Sequence, residues 1–221
     1  MSYASNSQSA YQMVVFDWDG TVMDSIGRIL ECLRDMCHDL DLDVPHEQAC
    51  RDIIGLSLST AVKQLFPRVS ATTQEALQLR YRHHFLRRAD EPLPLFDGIE
   101  QLLGELQQRD IELAVATGKS RAGLDRMLAQ TGLGRFFRHT RTADEAQSKP
   151  HPDMLQQLLQ ATGHDANKSM MVGDSLLDLS MANSAGFSAV GVSYGAHGEQ
   201  KLQCCNPKAV IHQPLELLQW L

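Results

Sequence analysis

The chain reads as an α/β protein in which a doubly wound parallel sheet is interrupted, after its first strand, by an all-helical segment. Three features carry that reading. The apolar run Met13-Val14-Val15-Phe16 leads directly into Asp17-Trp18-Asp19-Gly20-Thr21, an acidic turn of the kind that ends a buried parallel strand. From Asp41 to Glu91 no strand-like run occurs and the apolar spacing is helical throughout. Beyond the stiff connector Pro92-Leu93-Pro94, helical spacing alternates with short apolar runs, the rhythm of a sheet covered by helices on both faces.

Residues 1–12, rich in Ser, Asn and Gln with no basic start or apolar stretch, read as a mobile tail and not as a signal peptide. After the first strand, Asp24-Ser25 offers an N-cap to a helix with Ile26, Ile29, Leu30, Leu33 and Cys37 on one side. Pro45 opens a short helix ending at Gly55, and Ser59 or Thr60 caps a second ending before Pro67. A longer helix spaces Leu77, Tyr81 and Phe85 four apart. Past the connector, Ile99, Leu102, Leu103 and Leu106 mark a helix and Ile111 to Ala116 a strand. Leu124, Met127 and Leu128 mark the next helix, stopped by Gly132, and a short strand is expected from His139 to Thr142. A helix through Leu155, Leu158 and Leu159 ends at Gly163, and Ser169 to Val172 is a strand. A helix from Leu176 to Ala185, stopped by Gly186, leads to a strand from Phe187 to Val192. Ala209-Val210-Ile211 is the last strand, and a final helix runs through Leu215, Leu217, Leu218 and Trp220. The expected division is a Rossmann-like core at 1–25 and 92–221 and a helical cap at 26–91.

Composition excludes some partners. A formal net charge of −7 over 221 residues gives no electrostatic footprint for nucleic acid. No apolar run approaches the length of a membrane span. Cys32, Cys37, Cys50, Cys204 and Cys205 are odd in number and form no Cys-x-x-Cys pair, so reduced thiols and a cytoplasmic protein are expected, and zinc is not.

The chemistry lies at strand ends. Two carboxylates spaced like Asp17 and Asp19 repel each other unless a cation sits between them, and hard oxygen ligands of this kind suit Mg²⁺. Later strands end in Thr117-Gly118-Lys119 and in Gly173-Asp174-Ser175, with Asp178 four residues beyond Asp174. Lys149 precedes Pro150-His151-Pro152, where the prolines suit a helix start. In a parallel sheet with crossover helices these ends share one edge. A Thr-Gly or Gly-Asp after a strand is by itself usually a cap or turn; the joint occurrence in this order is far more specific.

Asp17-x-Asp19-Gly20-Thr21, Thr117-Gly118, Lys149-Pro150 and Gly173-Asp174-x-x-x-Asp178 resemble, in order, the four motifs of the haloacid dehalogenase superfamily. The helical insertion resembles that family's small cap, and the nearest likeness is to phosphoglycolate phosphatase-like members. The resemblance implies that Asp17 is a nucleophile forming an aspartyl-phosphate and Asp19 a general acid and then base. It also implies that Thr117 and Lys149 hold phosphoryl oxygens and that Asp174 completes an Mg²⁺ site with Asp17 and Asp19. These residue types suit such chemistry, because a cation must neutralise a phosphate dianion before a carboxylate can attack it, and the transferring phosphoryl group needs donors around its oxygens. The Thr117 hydroxyl, the Gly118 N–H and the Lys149 ammonium are such donors, and the Asp19 main-chain carbonyl is a candidate metal ligand. Asp178 suits a role orienting Lys149 or metal-bound water, and Ser175 either joins it or caps a helix.

The implied function is Mg²⁺-dependent hydrolysis of a small phosphorylated metabolite, phosphoglycolate-like, by a monomer or homodimer. Arg28, Arg51 and Lys63 are candidates for the substrate's carboxylate. The cluster Arg80, Arg82, His83, His84, Arg87 and Arg88 reads as a solvated face, with an anion funnel as the alternative. The alternatives are a β-phosphoglucomutase-like sugar phosphomutase or a pyrophosphatase. Mutase relatives carry a His where this chain has Ile29 and an Arg where it has Leu58; a dehalogenase lacks the second acid supplied here by Asp19. A phospho-accepting receiver domain needs neither Asp19 nor a cap.

Overall fold

Six parallel strands form one sheet in the order β3-β2-β1-β4-β5-β6. They are β1 (Met13–Phe16), β2 (Glu112–Ala116), β3 (His139–Arg141), β4 (Ser169–Gly173), β5 (Ser188–Val192) and β6 (Ala209–Ile211). The computed structural model describes residues 10–88 and 91–221. From β1 the chain winds outward to β2 and β3, then crosses to the other side for β4, β5 and β6. The order therefore reverses beside β1, the place where open α/β sheets hold ligands. Phe16 lies level with Val115 of β2 and Val172 of β4, so the chain leaves all three strands at one height.

β1 is buried on both faces because its successive side chains point to opposite sides. Val14 and Phe16 join the apolar layer made with α5 (Ile99–Gln108) and α6 (Arg121–Thr131). Met13 and Val15 join the layer made with α7 (Asp153–Thr162) and α8 (Leu176–Ala185). Gly132, Gly163 and Gly186 end α6, α7 and α8 in the left-handed conformation, as expected.

Between β1 and α5 stand α1 (Ile26–His38), α2 (Glu47–Asp52), α3 (Leu58–Leu65) and α4 (Ala71–Arg87), with an apolar cluster of their own that includes Leu33, Met36, Val62 and Leu77. Arg80, Arg82, His83 and Arg87 of the basic cluster are exposed, as in a solvated face, while part of the cluster also turns to α1. Arg88 donates to Asp35, while His84 and Arg80 pair with Asp39, so these residues fasten α4 to α1.

Several local expectations change. Ser57, in extended conformation, caps α3 by accepting from Thr60 N, which places Ser59 and Thr60 inside the first turn. The ring of His46 caps α2, one residue after Pro45, and that helix ends at Asp52. The final segment is a 3₁₀ helix (Pro214–Gln219), whose period of three buries Pro214 and Leu217, with Leu215 and Leu218 partly buried against the core. Of the expected tail, residues 1–9 lie outside the described residues. Tyr11, however, is buried with its hydroxyl donating to Ser188, and Gln12 N donates to Lys168 O, so the packed chain starts before β1. No helix among the described residues is long and apolar enough to cross a membrane.

Candidate active site

The shared height of β1, β2 and β4 brings Asp17, Thr117 and Asp174 together, each about 1% exposed. Lys149 reaches the same point from the loop before α7. Its Nζ donates to Asp17 Oδ1 and to Asp178 Oδ1, both at 2.6 Å. The other oxygen of Asp178 accepts from the Ser175 hydroxyl (2.6 Å) and N–H, and Ser175 Oγ accepts from Asp178 N. Ser175 thus both caps α8 and fixes the carboxylate that orients Lys149, so the two readings of this serine hold at once.

The electrostatics are those of three acids facing one base. Burial pushes the Asp17 carboxyl up, Lys149 pulls it down and Asp178 pushes it up again, leaving it at about 7. Burial and the neighbouring Asp17 and Asp178 charges also hold Asp174 well above the carboxylate range. Burial opposes the charge of Lys149, but Asp17 and Asp178 outweigh it and keep the ammonium protonated.

Carboxylate oxygens of Asp17, Asp174 and Asp178 lie within 4.8 Å of one another. Those of Asp178 are engaged with Lys149 and Ser175. Asp17 Oδ2 and Asp174 Oδ1, by contrast, are buried and accept no hydrogen bond among the described residues. Two buried carboxyl oxygens left without a donor in one acidic cluster are a costly arrangement that a small divalent cation relieves, so these residues fit Mg²⁺. The remaining Asp174 oxygen accepts from Ala196 N (2.7 Å) and packs against Gly20, where a Cβ would collide with it and φ is +78°. Mg²⁺ is therefore expected to raise the Tm of the wild type in a concentration-dependent way. Thermal melts should show that rise shrink in Asp174→Asn; an equal rise in both would place the cation elsewhere.

Asp19 stands apart from that cluster. Its Oδ1 accepts from Ser25 Oγ (2.5 Å) and pairs with Lys119 Nζ (2.9 Å). Ser25 occupies the N-cap position of α1 as expected, but its side chain leaves the helix end to hold Asp19. Lys119 was visible beside Thr117-Gly118, yet nothing in the sequence shows which way its long side chain turns. Thr117 Oγ1 accepts from Lys119 N (3.2 Å), which leaves its own proton for a ligand.

The helical block is closed on this edge. Gly118 meets the carbonyls of Gly55 and Leu56 so closely that a Cβ has no room. Ser57 N donates to Ser148 Oγ (3.0 Å), and Asp52 pairs with His197 (3.0 Å) and Lys201. Between block and core lies a cavity of about 490 Å³ with Asp19, Gly118 and Lys119 on its wall. None of Arg28, Arg51 and Lys63 lines it. Arg28 donates to Arg88 O and pairs with Glu91, Arg51 pairs with Glu47 one turn away, and Lys63 lies on the outer part of α3. The cations on its wall are Lys119, Arg82 and Arg126 instead.

Carboxylates, a hydroxyl and an ammonium converge at the switch point of a parallel sheet beneath a helical lid. Such an arrangement has the groups to hold an anion and a cation side by side, the setting of an α/β enzyme. Residues 14–192 match the family described as haloacid dehalogenase-like hydrolase, and the chain belongs to it. It is 34% identical over 206 residues to "Probable phosphatase IndB" of Dickeya dadantii, covering 90% of this chain and 88% of the relative. It is 30% identical to a phosphoglycolate phosphatase of Rhodospirillum rubrum (94% and 90% covered) and 29% identical to the pyrophosphatase PpaX of Bacillus pumilus (96% and 97% covered). A hydrolase from Pseudomonas syringae shares the fold with a TM-score of 0.86 at 20% identity, covering 95% of this chain and 97% of that one. The chain is thus a phosphatase-type hydrolase of this family.

Proposed function

We propose that the protein is an Mg²⁺-dependent phosphatase that hydrolyses a small phosphorylated metabolite through a phosphoryl group carried on Asp17. The observation that carries this reading is the pair of orphaned oxygens on Asp17 and Asp174 beside an Asp17 oxygen clamped by Lys149. Asp17 Oδ2, Asp174 Oδ1 and the Asp19 main-chain carbonyl would hold the ion. Mg²⁺, when bound, supplies charge neutralisation between the carboxylate and the phosphate dianion. Asp17 Oδ1 then forms the bond to phosphorus as the ester oxygen leaves. The Lys149 ammonium, the Thr117 hydroxyl and the Gly118 N–H stabilise the charge that spreads over the phosphoryl oxygens. Ser25 and Lys119 both hold Oδ1 of Asp19, so its Oδ2 is the atom that gives a proton to the leaving alkoxide and later takes one from water.

The name phosphoglycolate phosphatase on relatives makes phosphoglycolate the reference ester. Of the cations expected for its carboxylate, Arg28 and Arg51 are paired elsewhere and the exposed Lys63 is off the cavity wall, so the monoester class is kept and the leaving group is left to the cavity. Ile29 and Leu58 line that cavity as apolar side chains, which gives a mutase no acid or base there. Asp19→Asn should lower kcat by roughly 10²–10⁴-fold on an alkyl phosphate. Unchanged steady-state turnover of such a poor leaving group would remove Asp19 from the proton transfers.

A further inference from the structure

Resting on the phosphatase reading, the cavity narrows the substrate class. Asp19 is on its wall, which is mostly apolar, with Ile29, Leu33, Ile54, Leu56, Tyr81 and Phe85 among the lining side chains. A volume near 490 Å³ belongs to the range that holds ring-sized ligands, far more than a two-carbon acid fills. Most polar groups on the wall are already engaged. Ser57 bonds within its own turn to Thr60, Ser120 accepts from Gly123 N, and Asp144 accepts from Arg121 N and Thr142. Lys119 is held by Asp19 and lies 5.0 Å over the ring of Phe85. A carboxylate one carbon from the ester oxygen would meet a wall whose half-buried cation, Lys119, is already paired with Asp19. Arg82 is exposed and Arg126 half-buried, so both belong to the outer rim.

Two features of the wall suit a ring. Tyr81 and Phe85, one turn apart on α4, stack with centroids 6.0 Å apart and planes 29° from parallel, which gives the cavity an aromatic side. Among the described residues the Tyr81 hydroxyl, on the cavity wall, has no hydrogen-bond partner, a polar handle in apolar surroundings. Burial first, and then Cys32 and Asp19, hold that hydroxyl well above its usual range, so it stays a donor.

We infer that the leaving group is uncharged next to the ester oxygen and carries a ring, which packs on Tyr81 and Phe85. Binding tests this without turnover. The Mg²⁺-loaded protein is titrated calorimetrically with phenylpropylphosphonate, propylphosphonate and phosphonopropionate, the last a non-hydrolysable likeness of phosphoglycolate. The phenyl compound should bind roughly 10-fold or more tightly than either of the others, as expected for a filled apolar pocket. Phe85→Ala should bring its affinity toward that of propylphosphonate, with circular dichroism confirming that the variant is folded. Equal or tighter binding of phosphonopropionate, or no binding of any of the three, overturns the inference. Hydrolysis of the matching esters separates it from the phosphatase reading. If the phenyl preference holds and no ester is cleaved, the pocket assignment stands and the catalytic reading falls. If phosphoglycolate is cleaved with a higher kcat/KM than phenylethyl phosphate, the catalytic reading stands and the pocket assignment falls.

Discussion

Asp17→Asn is expected to fold normally and to lose turnover by about 10⁴-fold or more. In the wild type Oδ1 of Asp17 accepts from Lys149 while Oδ2 is orphaned. An amide keeps the first contact, because its oxygen still accepts from the ammonium. It removes one of three acidic groups that crowd within 4.8 Å, where burial and neighbouring charge push Asp17 and Asp174 up, so the metal-free variant should melt at or above the wild-type temperature. What it lacks is a nucleophilic oxygen, and the covalent route closes with it. Turnover and thermal melts on the same preparation check both halves. A variant that stayed folded and kept near-normal turnover would require another nucleophile.

Lys149→Ala should have the largest effect on stability. Its side chain is 0% exposed and holds Asp17 and Asp178, whose own exposures are 1% and 0%. Removing this positive partner from a buried acidic cluster leaves uncompensated charge, a loss of roughly 3–5 kcal/mol. Added Mg²⁺ should recover part of that stability by supplying countercharge, but not turnover, because the phosphoryl oxygens still lack the ammonium. Denaturant titrations with and without Mg²⁺ measure it. A loss within the range of an ordinary surface substitution would mean that Lys149 is not the clamp of the cluster.

The sheet was legible because each central strand is an apolar run ended by a polar turn, and the parallel register then places those turns at one height. That logic reached Asp17, Thr117, Asp174 and, through the helix starts around them, Lys149 and Asp178. It did not reach across the closure of the helical block. Local spacing puts Arg28 near the first motif, but only the tertiary fold shows it turned back to Arg88 O and Glu91. Ser25 looked like an ordinary cap, and its diversion to Asp19 depends on the tight turn at residues 20–23, where Gly20 N donates to Met23 O. Tyr81 and Phe85 showed the four-residue spacing of a packed helix face, which is the same whether that face meets a core or a cavity.

During turnover Asp17 is expected to carry the phosphoryl group. Asp19→Asn, which slows hydrolysis of that intermediate, should be mixed with Mg²⁺ and an activated aryl phosphate, quenched in acid and digested for mass spectrometry. The added mass of one phosphoryl group is expected on the peptide that contains Asp17, fragmenting to that residue, and none in the double variant with Asp17→Asn. Phosphate released by Asp19→Asn with no mass on Asp17 at any quench time, or the mass on another residue, would contradict this role of Asp17.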